Sequence, residues 1–303
     1  MLKLFWRARV CGLAMTIAAL AGSFARAADR PEIMLWPQGM PEPKVPADPP
    51  ERVETDQDGI SRRLHVCRPR LVVFQPANSS GKLTSALIVV PGGGFGRLAD
   101  GHEGAEACEW LVKHGMTAFL LLHRTPTNLH AQPHAGPVQD VQQAVIEVRR
   151  RAAEFAVDAQ KIGVLGFSAG GQAALIAATN PPTFQREPEY ASLAATPDLL
   201  LLLYPYQIYD PERKGLRKEV GLEGPGMPTF IAQMGDDSAS LPQGSAQLYL
   251  ELVARKIPAE LHIYETGGHG FGMRARPHAA GPTDWPARAL AWLTLHGFLP
   301  PRN

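Results

Sequence analysis

The chain has 303 residues, of which 45% are hydrophobic and 19% are charged, and its 30 Lys and Arg residues nearly balance 29 Asp and Glu residues. This length is enough for one large domain or two small ones. The near-zero net charge argues against a general nucleic-acid-binding protein, because such proteins carry a basic excess on one face.

The first 27 residues have the features of an export signal. Basic residues precede an apolar stretch over residues 10–24, and Ala25-Arg-Ala27 supplies the small-residue pattern that a signal peptidase reads. We therefore predict cleavage before Ala28 and a secreted or periplasmic protein. The apolar stretch has 15 residues, fewer than the roughly 20 that span a bilayer. A transmembrane anchor is thus disfavoured, and no stable membrane insertion is expected after cleavage.

Removal of this signal changes both the charge and the cysteine content. Loss of its four basic residues leaves 26 basic against 29 acidic residues, a net charge of about −3. Cys11 leaves with the signal, so Cys67 and Cys108 remain. An oxidising compartment permits a disulfide between them, but the sequence does not establish the Cα separation of under about 7 Å that a bridge requires. Two separate thiols are the alternative.

Residues 31–50 are expected to form an extended lead-in on the domain surface. Proline has no backbone N–H to donate to a strand ladder, and this segment contains seven prolines, at positions 31, 37, 41, 43, 46, 49 and 50. No second linker and no internal repeat follow it. We therefore predict that residues 28–303 form a single domain.

From about residue 64 onward, short apolar runs alternate with helical patterns. Most of the runs are apolar throughout, as strands covered by helices on both faces must be. This alternation predicts an α/β fold with a mainly parallel central sheet, in which ligands bind at the carboxyl ends of the strands. The predicted strands span 71–74, 86–90, 117–122, 161–165, 199–204, 229–232 and 260–264, and the predicted helices span about 101–114, 138–155, 169–178, 244–255 and 285–296.

A serine follows the strand predicted at 161–165, in the sequence Gly166-Phe-Ser-Ala-Gly-Gly171, and a small-residue helix comes next. A serine on a sharp strand-to-helix turn needs small residues two positions before and two after it, because backbone segments come into close contact there. Gly166 and Gly170 meet that requirement. The pattern predicts Ser168 as a catalytic nucleophile.

Two later strands lead into loops that suit an acid and a base. A serine hydroxyl needs a base to remove its proton, and the base needs an acid to fix its tautomer. In this architecture the acid and then the base follow the nucleophile along the chain. Asp236 and Asp237 follow one strand, and His269 follows the next within a glycine-rich loop. We predict His269 as the base and one aspartate as its partner, while the other aspartate braces the loop.

Negative charge that develops on a substrate oxygen requires hydrogen-bond donors already in place. The backbone N–H of Ala169 is one candidate. The loop after the strand at 86–90 is the source of others, because consecutive glycines let a backbone approach a ligand closely. A phosphate-binding P-loop would require Gly-Lys-Ser/Thr, which this loop lacks. The candidate oxyanion donors in it are Gly92, Gly93 and Gly94.

The ten histidines do not predict a metal site. His130 and His134 are four residues apart, but Pro133 and Gly136 disfavour a helix there. The pair His102-Glu103 lacks the second histidine of a zinc-protease motif. We expect no metal and no cofactor. His102 is expected either to line the substrate pocket or to cap the following helix.

Together these motifs resemble the α/β-hydrolase superfamily. More narrowly, the chain is similar over about residues 34–299 to secreted bacterial esterases of the acetyl xylan esterase type, some of which are labelled xylanases. The resemblance implies Ser168 as nucleophile, Asp237 as acid and His269 as base, with an oxyanion hole from Ala169 and either Gly92 or Gly93. The motifs that carry it are Pro91-Gly-Gly-Gly-Phe95, Gly166-Phe-Ser-Ala-Gly-Gly171, Gly235-Asp-Asp237 and Gly268-His-Gly-Phe271.

Two departures from these esterases weaken any transfer of substrate preference. Gln172 stands where a histidine is common, and Asp237 is not followed by the usual Val-Pro pair. Neither departure affects the residues of the implied triad.

The sequence therefore predicts a secreted serine carboxylesterase, and the resemblance implies acetyl groups on xylan or related carbohydrates as its substrate. The expected partner is a small-molecule or carbohydrate ester and not nucleic acid, while the oligomeric state is left open. One alternative is a serine peptidase of the prolyl-oligopeptidase type, although residues 28–303 leave no room for the β-propeller of such enzymes. The other is a non-catalytic binding protein on the same scaffold, which typically lacks an intact triad.

Overall fold

Short apolar segments distributed along the chain form the strands of this protein. The computed structural model describes residues 30–57, 59–77, 82–224 and 226–301. The predicted signal segment and its cleavage site before Ala28 lie outside the described residues. In chain order the strands are β1 (Glu32–Met34), β2 (Arg52–Thr55), β3 (Ser61–Leu64), β4 (Arg70–Phe74), β5 (Thr84–Val90), β6 (Thr117–Leu122), β7 (Val157–Phe167), β8 (Leu199–Leu203), β9 (Tyr209–Asp210), β10 (Gly215–Leu216), β11 (Thr229–Met234) and β12 (Ala259–Tyr264).

Helices connect most of the long strands. The predicted helix at 138–155 is broken at Arg151, whose φ of −101° and ψ of 14° leave the helical range. No helix in the described part of the chain is both long and apolar enough to cross a membrane. The α-helices are α1 (Glu106–Lys113), α2 (Ala135–Arg150), α3 (Ser168–Thr179), α4 (Pro242–Ala254) and α5 (Gly281–Leu295), with a π-helical turn at Gly101–Ala105 and 3-10 turns at Ala152–Phe155 and Pro188–Tyr190.

Among the described residues, eight strands form one sheet in the order β1-β4-β6-β5-β7-β8-β11-β12. The neighbouring pairs from β6 to β12 are parallel, whereas β4 is antiparallel to both β1 and β6. The prediction of a mainly parallel α/β sheet is therefore confirmed. The remaining short strands form the hairpins β2–β3 and β9–β10.

Strand register brings the predicted site loops together at one edge. Val90 at the end of β5 is paired with Gly166 near the end of β7, so the glycine loop begins beside the serine turn. Met234 at the end of β11 is paired with Tyr264 at the end of β12, so the aspartate and histidine loops also begin side by side. All four loops follow the carboxyl ends of parallel strands.

The expected surface lead-in contributes a strand to the sheet. β1 pairs antiparallel with β4, and Ile33 and Leu35 are 4% and 1% exposed. Between Pro31 and Pro37 the chain has no proline, so this stretch keeps the backbone donors that a strand needs. The expectation for residues 31–50 is thus wrong at this stretch, which forms the edge of the sheet.

The helices cover the sheet on both faces, and the strand side chains divide between two apolar layers. One layer packs beneath α2, α3 and α4 and includes Ile88 and Val164. The other packs beneath α1 and α5 and includes Leu87 and Leu165. Since adjacent residues of a strand point to opposite faces, strands buried on both sides must be apolar at nearly every position. The sheet is thereby a rigid support for the loops at its carboxyl edge.

Candidate active site

Ser168 lies at the junction of β7 and α3, where the backbone turns sharply. Its φ of +50° lies in the left-handed region that side chains rarely adopt, and the residue is 5% exposed. A Cβ on Gly170 would lie 2.5 Å from the carbonyl oxygen of Pro91, and one on Gly166 would lie 2.8 Å from the carbonyl oxygen of Gly170. The spacing of glycines around the serine is therefore a steric requirement of this turn.

The side chains of Ser168, His269 and Asp237 form one hydrogen-bonded chain. Nε2 of His269 lies 2.7 Å from Oγ of Ser168, and Nδ1 of His269 lies 2.8 Å from Oδ2 of Asp237. The buried Asp237 also accepts hydrogen bonds from the backbone N–H groups of Ala239 and Ser240. With Nδ1–H donated to this fixed carboxylate, Nε2 is left to accept the serine proton.

The neighbouring Asp236 binds the histidine loop instead of the imidazole. Its Oδ1 accepts the backbone N–H of Gly268 at 2.8 Å, and its Oδ2 accepts that of Gly267 at 3.2 Å. These two hydrogen bonds lower the pKa of Asp236. The spacing of the residues left the roles of the two aspartates open, whereas the resemblance implied Asp237 as the acid. The structure brings Asp237 to the imidazole and Asp236 to the loop.

Two further side chains form hydrogen bonds with the backbone of the histidine loop. The guanidinium of Arg276 donates to the carbonyl oxygens of Gly267 at 2.6 Å and of His269 at 2.7 Å. Nε2 of the buried His102 lies 3.1 Å from the carbonyl oxygen of Gly270. His102 thus supports the loop that carries His269, a role that was not among those expected for it.

The glycine loop after β5 offers fewer free donors than the sequence predicts. The N–H of Gly92 donates to Oε2 of Glu103 at 2.8 Å, so the prediction of Gly92 as an oxyanion donor is wrong. The N–H groups of Gly93 and Gly94 have no acceptor within the described chain. Ala169 lies in the first turn of α3, where N–H groups have no intrahelical partner. These three residues are the available donors beside Ser168.

Glu103 links the glycine loop to the histidine loop through Tyr204. Oε1 of Glu103 accepts the hydroxyl of Tyr204 at 2.8 Å, and that hydroxyl accepts the backbone N–H of Gly272 at 2.8 Å. Burial and the adjacent carboxylate raise the pKa of Tyr204 well above its ordinary value. The Tyr204 ring also meets the His269 ring edge-on, with centroids 5.0 Å apart.

Sequence reasoning assigned no role to Glu103 or Tyr204. In the sequence Glu103 lies in an incomplete zinc-protease pattern and in a segment similar to the esterases, and Tyr204 ends an apolar run. The available signal was a charged residue within a segment that otherwise packs against the sheet, since buried carboxylates are found where they have partners.

Comparison with known proteins identifies the fold to which this site belongs. A family model described as BD-FAE matches residues 71–196. The solved structure of an acetyl ester-xyloside bifunctional hydrolase from Caldicellulosiruptor lactoaceticus superposes with a TM-score of 0.67 at 26% identity, covering 89% of this chain and 97% of that one. The chain has the α/β-hydrolase fold. A thermophilic esterase from Thermogutta terrifontis has the same fold, with a TM-score of 0.67 at 23% identity over 85% of this chain and 98% of that one.

Two curated relatives of this chain are longer proteins. An acetylxylan esterase of Xylanibacter ruminicola is 29% identical over 230 residues, which are 68% of this chain and 44% of the relative. An endo-1,4-beta-xylanase B of Butyrivibrio fibrisolvens is 29% identical over 206 residues, which are 61% of this chain and 32% of the relative. The chain therefore spans less than half the length of the curated relatives it matches. The resemblance to acetyl xylan esterases and xylanase-labelled proteins is confirmed.

Neither a metal-binding cluster nor a disulfide accompanies this site in the part of the chain that the structure describes. Within the described ranges, no group of three or more His, Cys, Asp or Glu residues is arranged to hold a metal ion. No disulfide joins Cys67 and Cys108. The site consists of the loops after β5, β7, β11 and β12.

Proposed function

We propose that this chain hydrolyses carboxylic esters through an acyl-enzyme formed on Ser168. The observation that carries the proposal is the hydrogen-bonded chain from Oγ of Ser168 through His269 to the buried Asp237, with distances of 2.7 and 2.8 Å. The confirmed resemblance to esterases supports the same class of reaction.

In this mechanism Ser168 attacks the acyl carbon while Nε2 of His269 accepts the hydroxyl proton. Asp237 keeps the imidazole in the required tautomer and stabilises the imidazolium that forms. The N–H of Ala169, together with that of Gly93 or Gly94, donates to the developing oxyanion. His269 then protonates the leaving alcohol and activates the water that releases the acid. None of these steps requires a cofactor.

We propose acetyl groups on xylan or related carbohydrates as the substrate. Two relatives support this choice, one an acetylxylan esterase and the other an acetyl ester-xyloside bifunctional hydrolase. Release of acetic acid from acetylated xylan, measured beside cleavage of p-nitrophenyl esters of increasing chain length, tests it. We expect the highest kcat/KM for acetyl and a steep fall by butyryl; equal rates for long acyl chains would contradict it.

Replacement of the nucleophile tests the reaction itself. Ser168→Ala should lower kcat on p-nitrophenyl acetate by at least about 10³-fold, because no other group can form the acyl-enzyme. The matched control is Ser192→Ala at an exposed serine, which should keep full activity. Thermal denaturation should give both variants the melting temperature of the unmodified protein. Unchanged turnover by the folded Ser168→Ala variant would remove Ser168 as nucleophile.

A paired assay separates the esterase from the peptidase alternative. We expect cleavage of p-nitrophenyl acetate without cleavage of a prolyl-arylamide. Amide cleavage in the absence of ester cleavage would favour the peptidase instead. Cleavage of neither substrate, together with retained ligand binding, would favour the non-catalytic scaffold.

We further propose that the protein is exported after cleavage before Ala28, leaving residues 28–303 as one secreted or periplasmic domain. The basic residues, the apolar stretch over residues 10–24 and the Ala25-Arg-Ala27 pattern support this. Expression of the full chain in a bacterial host followed by mass measurement of the periplasmic and cytoplasmic fractions tests it. A protein that keeps its first 27 residues and stays in the cytoplasm would contradict it.

A further inference from the structure

A polar cleft of about 480 Å³ opens beside the glycine loop. Gly94 and Phe95 form one of its walls, and Gln172 and Tyr206 also line it. Gln172 lies four residues after Ser168 in α3, which is about one helical turn. The backbone N–H of Tyr206 donates to the carbonyl oxygen of Ser168 at 2.9 Å. The cleft therefore includes one candidate oxyanion donor, Gly94, and residues of two segments that adjoin Ser168.

The polarity of this cleft suits the alcohol portion of an ester better than the acyl portion. Its lining is mainly amide, imidazole, phenol and charged side chains, which would be desolvated at a cost by a hydrocarbon chain. An acetyl group is far smaller than a cleft of about 480 Å³. A sugar, by contrast, supplies hydroxyl groups for such side chains and an apolar ring face for Tyr206.

Arg217 is the lining residue whose hydrogen-bonding capacity is left unused. Its backbone is fixed, because its N–H donates to the carbonyl oxygen of Ile208 at 2.9 Å. Its Nε is buried and has no hydrogen-bond partner. Among the described residues no carboxylate forms an ion pair with its guanidinium, although Glu219 lines the same cleft. This Nε–H is therefore available to an acceptor on a ligand that occupies the cleft.

We propose that the cleft binds the sugar portion of the ester and that Arg217 binds a carboxylate carried by that sugar. The effect of this binding on catalysis rests on the proposed ester hydrolysis. The planar guanidinium pairs with a carboxylate through two parallel hydrogen bonds. The preferred substrate is then an acetylated oligosaccharide that bears a uronic acid. Its hydrolysis releases acetate and the deacetylated acidic sugar.

Two other titratable side chains face the same cleft. Burial lowers the pKa of His134, so its imidazole is neutral at pH 7 and acts as a hydrogen-bonding group. Glu219 is the opposing charge among the lining residues, and it repels a carboxylate that approaches the cleft. Removal of this charge in Glu219→Gln should therefore increase the preference for an acidic substrate, whereas a decrease would contradict the arrangement.

The test compares acetylated xylo-oligosaccharides that carry a glucuronic acid substituent with neutral ones of the same acetyl content. The unmodified protein should have the higher kcat/KM on the acidic substrate. Arg217→Gln should lower that value by roughly tenfold or more, because a hydrogen-bonded charge pair is lost, and should change the neutral value less than twofold. The matched control is Lys218→Gln, which removes an exposed positive charge from the next residue and should leave both values unchanged.

Arg217→Lys keeps the charge without the planar pair of donors and should recover only part of the preference. Equal losses on acidic and neutral substrates in Arg217→Gln, or no preference in the unmodified protein, would overturn the inference. Calorimetric binding of the deacetylated acidic and neutral oligosaccharides separates this inference from the proposed function. If no ester is cleaved but the acidic sugar binds at least tenfold tighter to the unmodified protein than to Arg217→Gln, the cleft assignment stands and the proposed function fails.

Discussion

The candidate site has a nucleophile side, which is the Ser168 turn with the glycine loop after β5, and a histidine side, which is the loop at residues 267–270. Different kinds of contact hold these two sides in place. On the nucleophile side, backbone meets backbone: a Cβ on Gly170 would lie 2.5 Å from the carbonyl oxygen of Pro91 and still closer to that of Val90. On the histidine side, three side chains hold the backbone of residues 267–270 by hydrogen bonds. Those side chains are Asp236, Arg276 and His102.

This difference predicts two kinds of response to mutation. A backbone contact has no flexible part that can move away, so an added atom must displace the turn itself. A hydrogen bond contributes a net free energy of about 0.5–1.5 kcal/mol, and the bonds that remain can hold the loop near its position. A substitution on the nucleophile side should therefore abolish activity, whereas loss of one loop hydrogen bond on the histidine side should lower activity only in part.

The largest effect is expected from Gly170→Ala. The new methyl would overlap the carbonyl oxygens before the glycine loop, and we expect destabilisation by about 3 kcal/mol and no detectable ester hydrolysis. Urea unfolding and the p-nitrophenyl acetate assay measure these outcomes. The control is Gly224→Ala, where nothing lies within 4 Å of the added Cβ. Normal stability and activity in Gly170→Ala would remove the contrast between the two sides.

Substitution of each of the two adjacent aspartates tests whether the histidine side has one contact that activity requires, while its other contacts each contribute only in part. Asp237→Asn should lower kcat by about 10³ to 10⁴-fold, because an amide at this position favours the wrong imidazole tautomer. Asp236→Asn should lower it about tenfold or less, since it weakens two loop hydrogen bonds and leaves the imidazole contact intact. Steady-state kinetics on one ester gives both values. The reverse ranking would transfer the acid role to Asp236.

Loss of Arg276 should have a smaller effect. Arg276→Met removes the two hydrogen bonds to the carbonyl oxygens of Gly267 and His269, and we expect kcat to fall about tenfold with KM little changed. Arg274→Met is the matched control, because that guanidinium binds Glu106 instead. A loss in the control as large as in Arg276→Met would show that the loop responds to any charge removal.

The smallest effect concerns stability on the nucleophile side. The buried His123 lies with its Nε2 3.4 Å from the carbonyl oxygen of Pro91, and burial lowers its pKa. Below pH 6.5 the unfolded chain therefore binds a proton that the folded chain does not. Stability falls as the pH decreases through this range, by up to about 1.4 kcal/mol per pH unit, and is fully retained above it.

Urea unfolding of the unmodified protein and of His123→Gln at pH 8, 6 and 5 measures this contribution. The difference in unfolding free energy, unmodified protein minus variant, should shrink as the pH falls. Asp236→Asn provides the contrasting case from the histidine side, because the lowered pKa of Asp236 lies below 3.8 and predicts no change in this range. A pH-independent difference for His123→Gln would show that its imidazole does not titrate between the two states.

The features that were predictable from the sequence are local ones. Apolar runs located the long strands, because a strand buried on both faces is apolar at nearly every position. The serine turn was recognisable because its glycines, Gly166 and Gly170, lie within two residues of Ser168. The α/β fold and the resemblance to esterases followed from such segments, and both are confirmed.

The features that only the folded chain reveals depend on contacts between distant segments. Gly92 is indistinguishable from its neighbours in a run of three glycines, and its N–H is withdrawn by Glu103 only because that carboxylate packs beneath the loop. Glu103 and Tyr204 are 101 positions apart. Which of two adjacent aspartates reaches His269 likewise depends on how two parallel strands align. Local patterns in a sequence predict which elements form, but the register and packing of those elements decide which polar groups meet.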